Sequence, residues 1–266
     1  MKLGLEGRVA LVTAASRGFG RAIALELAGE GAHVALCARG GDDLARTAAE
    51  VRAIAPAGVR LLARPCDVTD GPAVERLVAD TERELGPIDV LLVNAGGPPA
   101  GGFFATGLDR WEAAYRLNLE SAVRLCRLVL PGMMERGWGR IVQITSVAQK
   151  QPVDNLVLSN VIRPAVHALT RALAVEAAPR GVTVNSVAPG FHLTSAVERL
   201  IRHKLEQGTA ASREEVLAAW EGEIPAGRLG RAEELAALVV FLMSERAGYV
   251  TGQCVVADGG WVRSTF

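Results

Sequence analysis

The sequence predicts an α/β protein: a doubly wound, seven-stranded parallel sheet with helices on both faces. Three observations predict it. Seven short apolar runs rich in Val, Ile and Leu recur along the 266 residues. Longer segments with apolar residues at helical spacing separate them, and the first strand-to-helix junction is a glycine-rich turn. Strands buried on both faces read as near-continuous apolar runs, and parallel neighbours need a crossover of a dozen or more residues. A helix fills that crossover, which gives the Rossmann-type arrangement.

The elements follow in order. Val9–Val12 is the first strand, and the turn Thr13–Gly20 leads into a helix over Arg21–Glu30. His33–Cys37 and Arg60–Ala63 are the next strands, each followed by a helix, Asp43–Ile54 and Ala73–Leu85. Val90–Val93 precedes a long helix over Trp111–Met134, and Ile141–Ile144 precedes one over Val161–Ala178. Val182–Val187, a helix over Ala232–Ser244 and a last strand Cys254–Val256 complete the alternation. No repeat, low-complexity tract or Pro/Gly-rich linker divides the chain, so residues 1–266 are expected to form one domain. Residues 192–225 are too long for an ordinary connection and hold two weakly amphipathic segments, Ala196–Gln207 and Ser212–Gly222. An excursion at the carboxyl edge of a parallel sheet is where a substrate lid would lie.

Half the residues are hydrophobic, enough for a sizeable core. Basic and acidic residues both total 29, so the net charge is zero and the basic footprint of a nucleic-acid binder is missing; a small-molecule partner is expected. The four cysteines, Cys37, Cys66, Cys126 and Cys254, form no Cys-x-x-Cys or Cys-His cluster. Neither a disulfide framework nor a metal site is expected, and the cysteines read as buried thiols of a reducing cytoplasm. Glu6 and Arg8 interrupt the apolar N-terminal run, so no signal peptide is expected, and no apolar stretch is long enough to span a membrane. Only three lysines occur, Lys2, Lys150 and Lys204, so arginine supplies nearly all the positive charge.

The chemistry starts at Thr13-Ala14-Ala15-Ser16-Arg17-Gly18-Phe19-Gly20. Gly18 and Gly20 let the backbone approach a pyrophosphate, and the following helix N-terminus offers free N–H groups and a positive dipole end. This turn resembles that of the short-chain dehydrogenase/reductase family, Thr-Gly-x-x-x-Gly-x-Gly, with Ala14 at the first glycine position. Alanine suits most turns unless φ must be positive, so weakened rather than abolished phosphate binding is expected. The resemblance runs over almost the whole chain: Cys66-Asp67-Val68, Asn94-Ala95-Gly96, Asn118, Ser146, Pro189-Gly190 with Thr194, and Asp258-Gly259-Gly260. It implies cofactor contacts from Thr13, Ala15, Ser16, Arg17, Gly18, Phe19, Gly20, Asp67, Val68, Asn94, Ala95, Gly96, Pro189, Gly190 and Thr194. The second strand ends Cys37-Ala38-Arg39 with no acid before Asp42. An acid there would bond the ribose hydroxyls of NAD; Arg17 and Arg39 instead suit the extra phosphate, so NADP, as NADPH, is expected over NADH.

The family's proton-transfer machinery is a Tyr, a Lys four residues later, a Ser that polarises the substrate oxygen and an Asn that supports a water relay. The resemblance puts Ser146 in the Ser role and Asn118 in the Asn role. Counting onward, the Tyr and Lys positions hold Ser159 and Arg163, and neither tyrosine, Tyr115 or Tyr249, has a Lys four residues on. A serine hydroxyl is a far weaker acid than a phenol and shorter by a ring. Arg163 keeps a fixed charge and a fork of donors for ribose hydroxyls or a developing alkoxide. Ser159 or Asn160 as an N-cap would start this helix a turn late and place Pro164 within its first turn. His192 is a candidate substitute acid, read otherwise as an exposed loop histidine. His167 reads as a packing or interface residue, Lys150 and Asp154 as solvated, and Tyr115 as core.

The chain is thus expected to be an NADP(H)-dependent oxidoreductase resembling the 3-oxoacyl-carrier-protein reductase branch, reducing a ketone or acyl-thioester substrate with an atypical proton donor. The alternative is an NADP(H)-binding protein without redox turnover. The family's habit of pairing its fourth and fifth helices implies a homo-oligomer, dimer or tetramer.

Overall fold

The structure, a computed structural model, describes residues 2–265. The elements run β1 (Val9–Val12), α1 (Gly18–Gly29), β2 (His33–Ala38), α2 (Gly41–Ile54), β3 (Leu61–Pro65), α3 (Gly71–Leu85) and β4 (Val90–Val93). There follow α4 (Leu108–Tyr115), α5 (Ser121–Arg136), β5 (Gly139–Ile144), α6 (Val157–Ala177), β6 (Val182–Pro189), α7 (Ser195–Glu206), α8 (Arg213–Glu223), α9 (Ala232–Leu242) and β7 (Cys254–Ala257). The strands form one parallel sheet in the order β3-β2-β1-β4-β5-β6-β7. Val9 pairs with His33 on one side of β1, and Ala10 pairs with Val90 on the other. The chain therefore reverses its winding between β1 and β4, and their carboxyl ends open a crevice where such sheets bind ligands.

Alternation along the strands divides the core into two layers. Ala10 and Val12 face α1 and α9, where they meet Ile23, Leu27 and Val239; Val9 and Leu11 face α3, α5 and α6, with Val74, Leu125 and Ala174. β1 is thus apolar on both sides, as its near-continuous run requires.

Two helices differ from expectation. The helix expected over Trp111–Met134 is broken by a π turn, Arg116–Glu120, between α4 and α5. Asn118 sits in it and donates Nδ2 to the Ala114 carbonyl at 3.1 Å. A short amide side chain that competes for backbone groups is a recognised cause of such irregularity. The late start expected for α6 does not occur: Leu156 is the N-cap, and Pro164 lies two turns in. The reason is Asn160, whose side chain does not cap the helix but clamps the preceding loop. Its Oδ1 accepts from Val153 N at 3.0 Å and its Nδ2 donates to Val153 O at 2.9 Å. Its own N–H meanwhile bonds Leu156 O at 2.9 Å, already inside the helix. Pro164 then leaves the Asn160 carbonyl without its usual donor, a cost that the buried face of α6 offsets.

Residues 192–225 fold as α7 and α8, which share a small apolar cluster of Val197, Ile201, Val216, Trp220 and Ile224. Phe191 stacks on Trp220 at 4.6 Å and meets Trp261 edge-on at 5.5 Å, while Arg213 pairs with Glu198 at 2.6 Å. Among the described residues no helix is long and apolar enough to cross a membrane.

Candidate active site

The turn after β1 is held from below. Thr13 is fully buried; its hydroxyl lies 3.0 Å from Leu92 O and 2.7 Å from Asn94 O, and it accepts from Asn94 N at 2.8 Å. It therefore ties the end of β1 to Asn94 at the end of β4. Ala15 N donates to Cys37 O at 2.9 Å, which fixes the turn against β2. Ala14 has φ +49°, the left-handed region, so this turn is the one in which alanine is strained. Gly18 also has a positive φ, +52°, and a Cβ on Gly20 would overlap the Ala14 carbonyl. The result is a bare backbone cradle at the N-terminus of α1. Thr194, N-cap of α7, lies over it, 3.6 Å from where a Gly18 Cβ would be. Phe19 meets His192 edge-on at 5.2 Å, and the Ser16 carbonyl accepts from Thr47 Oγ1 at 3.2 Å.

A cavity of about 560 Å³ extends outward from Ser16, Arg17 and Gly18 between α2 and α7. Asp43 lies between two guanidinium groups here: Arg17 donates Nε to it at 2.6 Å, and Arg46 also pairs with it. Asp43 and Arg46 were not anticipated from the sequence; their i,i+3 spacing in the first turn of a helix was the available signal. Arg39, exposed at the end of β2, has no hydrogen bond or ion pair among the described residues. Asp67 turns its carboxylate onto its own loop, accepting from Thr69 N at 2.9 Å and Thr69 Oγ1 at 2.8 Å. Val68 is buried beside it. Ala95 is half-buried and Gly96 exposed at the mouth of the crevice. Pro189 ends β6, and Gly190 donates to Ala257 O at 2.9 Å beneath Asp258, where a Cβ would come within 2.7 Å of the Asp258 Cβ.

The residues at the proton-transfer positions gather at the carboxyl end of β5. Ser146 leaves that strand and accepts from Ala148 N at 3.2 Å, which caps a short turn and leaves its hydroxyl proton free to donate. Ser159, in the first turn of α6, is buried, and its hydroxyl makes no hydrogen bond among the described residues. Arg163, one turn on, is only 7 % exposed and makes no ion pair among the described residues. Its Nη1 donates to Ile144 O at 3.0 Å, and its Nε is buried without a partner. Burial pushes its pKa down to about 10, so the guanidinium is still charged at neutral pH. Asn118 adds a second orphan, its buried Oδ1. Gln143 on β5 adds two more, since both ends of its fully buried amide lack partners. Gln143 was missed from the sequence, although a polar residue within an apolar strand is itself a signal.

His192 is neither exposed nor solvated. It is buried against Phe19, its Nδ1 lies 3.2 Å from Gly190 O, and burial pushes its pKa down. His167 is half-buried and bonds Ser186 Oγ through Nδ1 at 2.9 Å. Tyr115 is 47 % exposed, on the surface of α4 and outside the core where it was expected.

A family model described as enoyl-(acyl carrier protein) reductase matches residues 13–262. Among curated proteins, the 3-oxoacyl-[acyl-carrier-protein] reductase of Pseudomonas aeruginosa is 38 % identical over 265 residues, 98 % of this chain and 100 % of that protein. Dehydrogenase/reductase SDR family member 4 of Sus scrofa is 36 % identical over 260 residues, 96 % of this chain and 88 % of that protein. Among solved structures, L-sorbose reductase from Gluconobacter frateurii, complexed with NADPH and L-sorbose, superposes with a TM-score of 0.93 at 33 % identity, covering 99 % of this chain and 100 % of that one. An actinorhodin polyketide ketoreductase with NADPH gives a TM-score of 0.90 at 36 % identity, covering 96 % and 97 %.

Proposed function

The chain belongs to the short-chain dehydrogenase/reductase family, and from that premise we propose that it is an NADPH-dependent reductase of a ketone or 3-oxoacyl thioester whose proton donor is not a tyrosine. The observation that carries the proposal is Arg163, a buried cation with no carboxylate partner among the described residues and an orphaned Nε at the carboxyl end of β5. A charge is held in so apolar a place only where its remaining donors meet acceptors. Ribose hydroxyls, a substrate oxygen and, at Nε, a water supply them.

NADPH, when bound, supplies the hydride. The bare backbone of Gly18–Gly20 and the start of α1 accept its pyrophosphate, with Ser16, Phe19 and Thr194 alongside. Arg39 and Arg17 take the additional phosphate, and Ala15, Asp67 and Val68 border the adenosine. Asn94, Ala95, Gly96, Pro189 and Gly190 shape the crevice toward the reacting end, where Arg163 holds the ribose. Ser146 donates a hydrogen bond from its free hydroxyl to the substrate carbonyl oxygen and polarises it. As alkoxide charge develops, the Arg163 guanidinium stabilises it. Asn118 Oδ1 orients a water that delivers the proton, with Ser159 passing it on; His192, buried against Phe19, is less favoured. The α7–α8 excursion closes over the substrate as a lid. The exposed Tyr115 and Val161 on α4 and α6 support a homo-oligomer that pairs these helices, and a cytoplasmic location suits the four free thiols.

Ser159 is also what favours a second reading, NADP(H) binding without turnover. The two separate when purified protein is titrated with NADPH and then assayed with a broad panel of ketones and 3-oxoacyl thioesters. Binding with NADPH oxidation sustains the reductase. Binding with none, together with activity that appears only in Ser159→Tyr/Arg163→Lys, assigns the binding role.

A further inference from the structure

α6 carries a polar column at four-residue spacing, Ser159, Arg163, His167 and Arg171, which one helix face presents in a row. The column runs from the buried site to the surface. Ser159 and Arg163 are buried, His167 is half-buried and Arg171 is exposed, donating to Gly252 O at 3.1 Å. A second polar row crosses the sheet beneath it. Register aligns Gln143 on β5 with Ser186 on β6, and Ser186 with Cys254 on β7, so all three project from the same face. That face is α6's, because Ser186 Oγ bonds His167 Nδ1 at 2.9 Å. The two rows meet at His167. Four of the buried side-chain atoms without a partner belong to residues around this junction: both ends of the amide of Gln143, which pairs in register with Ser186, the Nε of Arg163, one turn before His167, and Asn118 Oδ1.

Buried polar atoms of this kind are commonly satisfied by water, which would link such a run of donors and acceptors into a path. We propose that this path is the proton supply of the reaction, with His167 as its entry from solvent, in place of a tyrosine. The inference rests on the reductase reading above. Reduction of the carbonyl consumes one hydride and one proton; a C–H and an O–H bond form, the C=O double bond becomes single, and the nicotinamide is oxidised. The proton leaves the imidazolium of His167 and passes by water past Ser186 and the Gln143 amide to the water held by Arg163 Nε and Asn118 Oδ1. From there it goes through the Ser159 hydroxyl to the alkoxide. Arg163 keeps its own protons throughout, and solvent reprotonates His167.

The groups that face His167 are Lys150 from the turn after β5, Arg163 and Arg171 on α6, Ser186 on β6 and Cys254 on β7. Burial and the charges of Lys150 and Arg171 press its pKa down. The imidazole is thus mostly neutral at neutral pH, ready to take a proton and give it up. His167 is a relay residue that touches no substrate.

The test uses His167→Gln, which keeps a polar contact to Ser186 but carries no exchangeable charge, made both in the natural chain and in Ser159→Tyr/Arg163→Lys. In the natural chain kcat falls by on the order of tenfold or more, and the limb of the kcat–pH profile due to histidine disappears. KM and the NADPH dissociation constant stay unchanged. In the tyrosine-bearing background the same substitution has no effect, because the phenol now supplies the proton. An equal loss in both backgrounds overturns the relay in favour of a packing role for His167. Turnover in the natural chain that ignores His167→Gln overturns the relay alone, whereas no turnover in the natural chain with any substrate overturns the relay and the reductase reading together.

Discussion

Replacing Ala14 by glycine should stabilise the protein. Ala14 sits at φ +49° in the turn proposed to hold the dinucleotide, a region in which a Cβ approaches the following carbonyl. The left-handed conformation costs a non-glycine residue about 1–2 kcal/mol. Glycine removes that cost but gains freedom in the unfolded chain worth about 0.4–1 kcal/mol. The difference leaves Ala14→Gly more stable by roughly 0.5–1 kcal/mol, which in a domain of this length raises the Tm by about 1–4 °C. The strain lies in the backbone of the turn itself, so the gain belongs to folding and the NADPH dissociation constant stays the same. Ala14→Val, with a β-branched side chain at the same φ, should lower the Tm. Differential scanning calorimetry and NADPH titration of the three proteins check this. A lower Tm for Ala14→Gly, or an unchanged Tm with tighter NADPH binding, refutes the reasoning.

Arg39→Glu should weaken NADPH binding by about 10- to 100-fold, the loss of a charge-assisted contact worth about 1.5–3 kcal/mol, while NADH binding holds or improves; equal losses for both cofactors would remove Arg39 from the phosphate site. His192 is held uncharged by burial, its folded pKa below the unfolded 6.5. Its contribution to stability is therefore present above that value and lost as pH falls through it, so the Tm should drop between about pH 7 and pH 5 less in His192→Gln than in the natural chain. Trp220→Ala empties the small core of α7 and α8, and limited proteolysis should then cut within residues 192–225 while the sheet keeps its protection; cleavage spread over the whole chain would show that the excursion has no independent stability.

Strand positions and sheet class were legible because burial on both faces leaves an unbroken apolar run, and all seven strands lie within a few residues of expectation. The glycine-rich turn was legible because Gly18 and Gly20 are demanded by backbone geometry. Helix boundaries were less so. Asn118 and Asn160 each spend the side chain on a local backbone group, Ala114 O in one case and Val153 in the other. One opens a π turn and the other frees α6 to start early, effects that depend on neighbours which a linear pattern does not supply. Ser146, Ser159 and Arg163 were found through the family resemblance, by counting along its motif. Gln143 and Ser186 escaped because their meaning lies in register across strands, and a polar residue within an apolar run gains a role only when the facing helix is known.

The central claim is that this fold carries out hydride transfer without the tyrosine. Its most direct test is single-turnover oxidation of NADPH by the natural chain with a 3-oxoacyl thioester, followed by stopped-flow absorbance beside Arg163→Met. Oxidation by the natural chain, slowed by on the order of 10²-fold or more when the guanidinium is removed, is the predicted result. NADPH that binds and stays reduced with every ketone and thioester offered, in the natural chain and the variant alike, contradicts it.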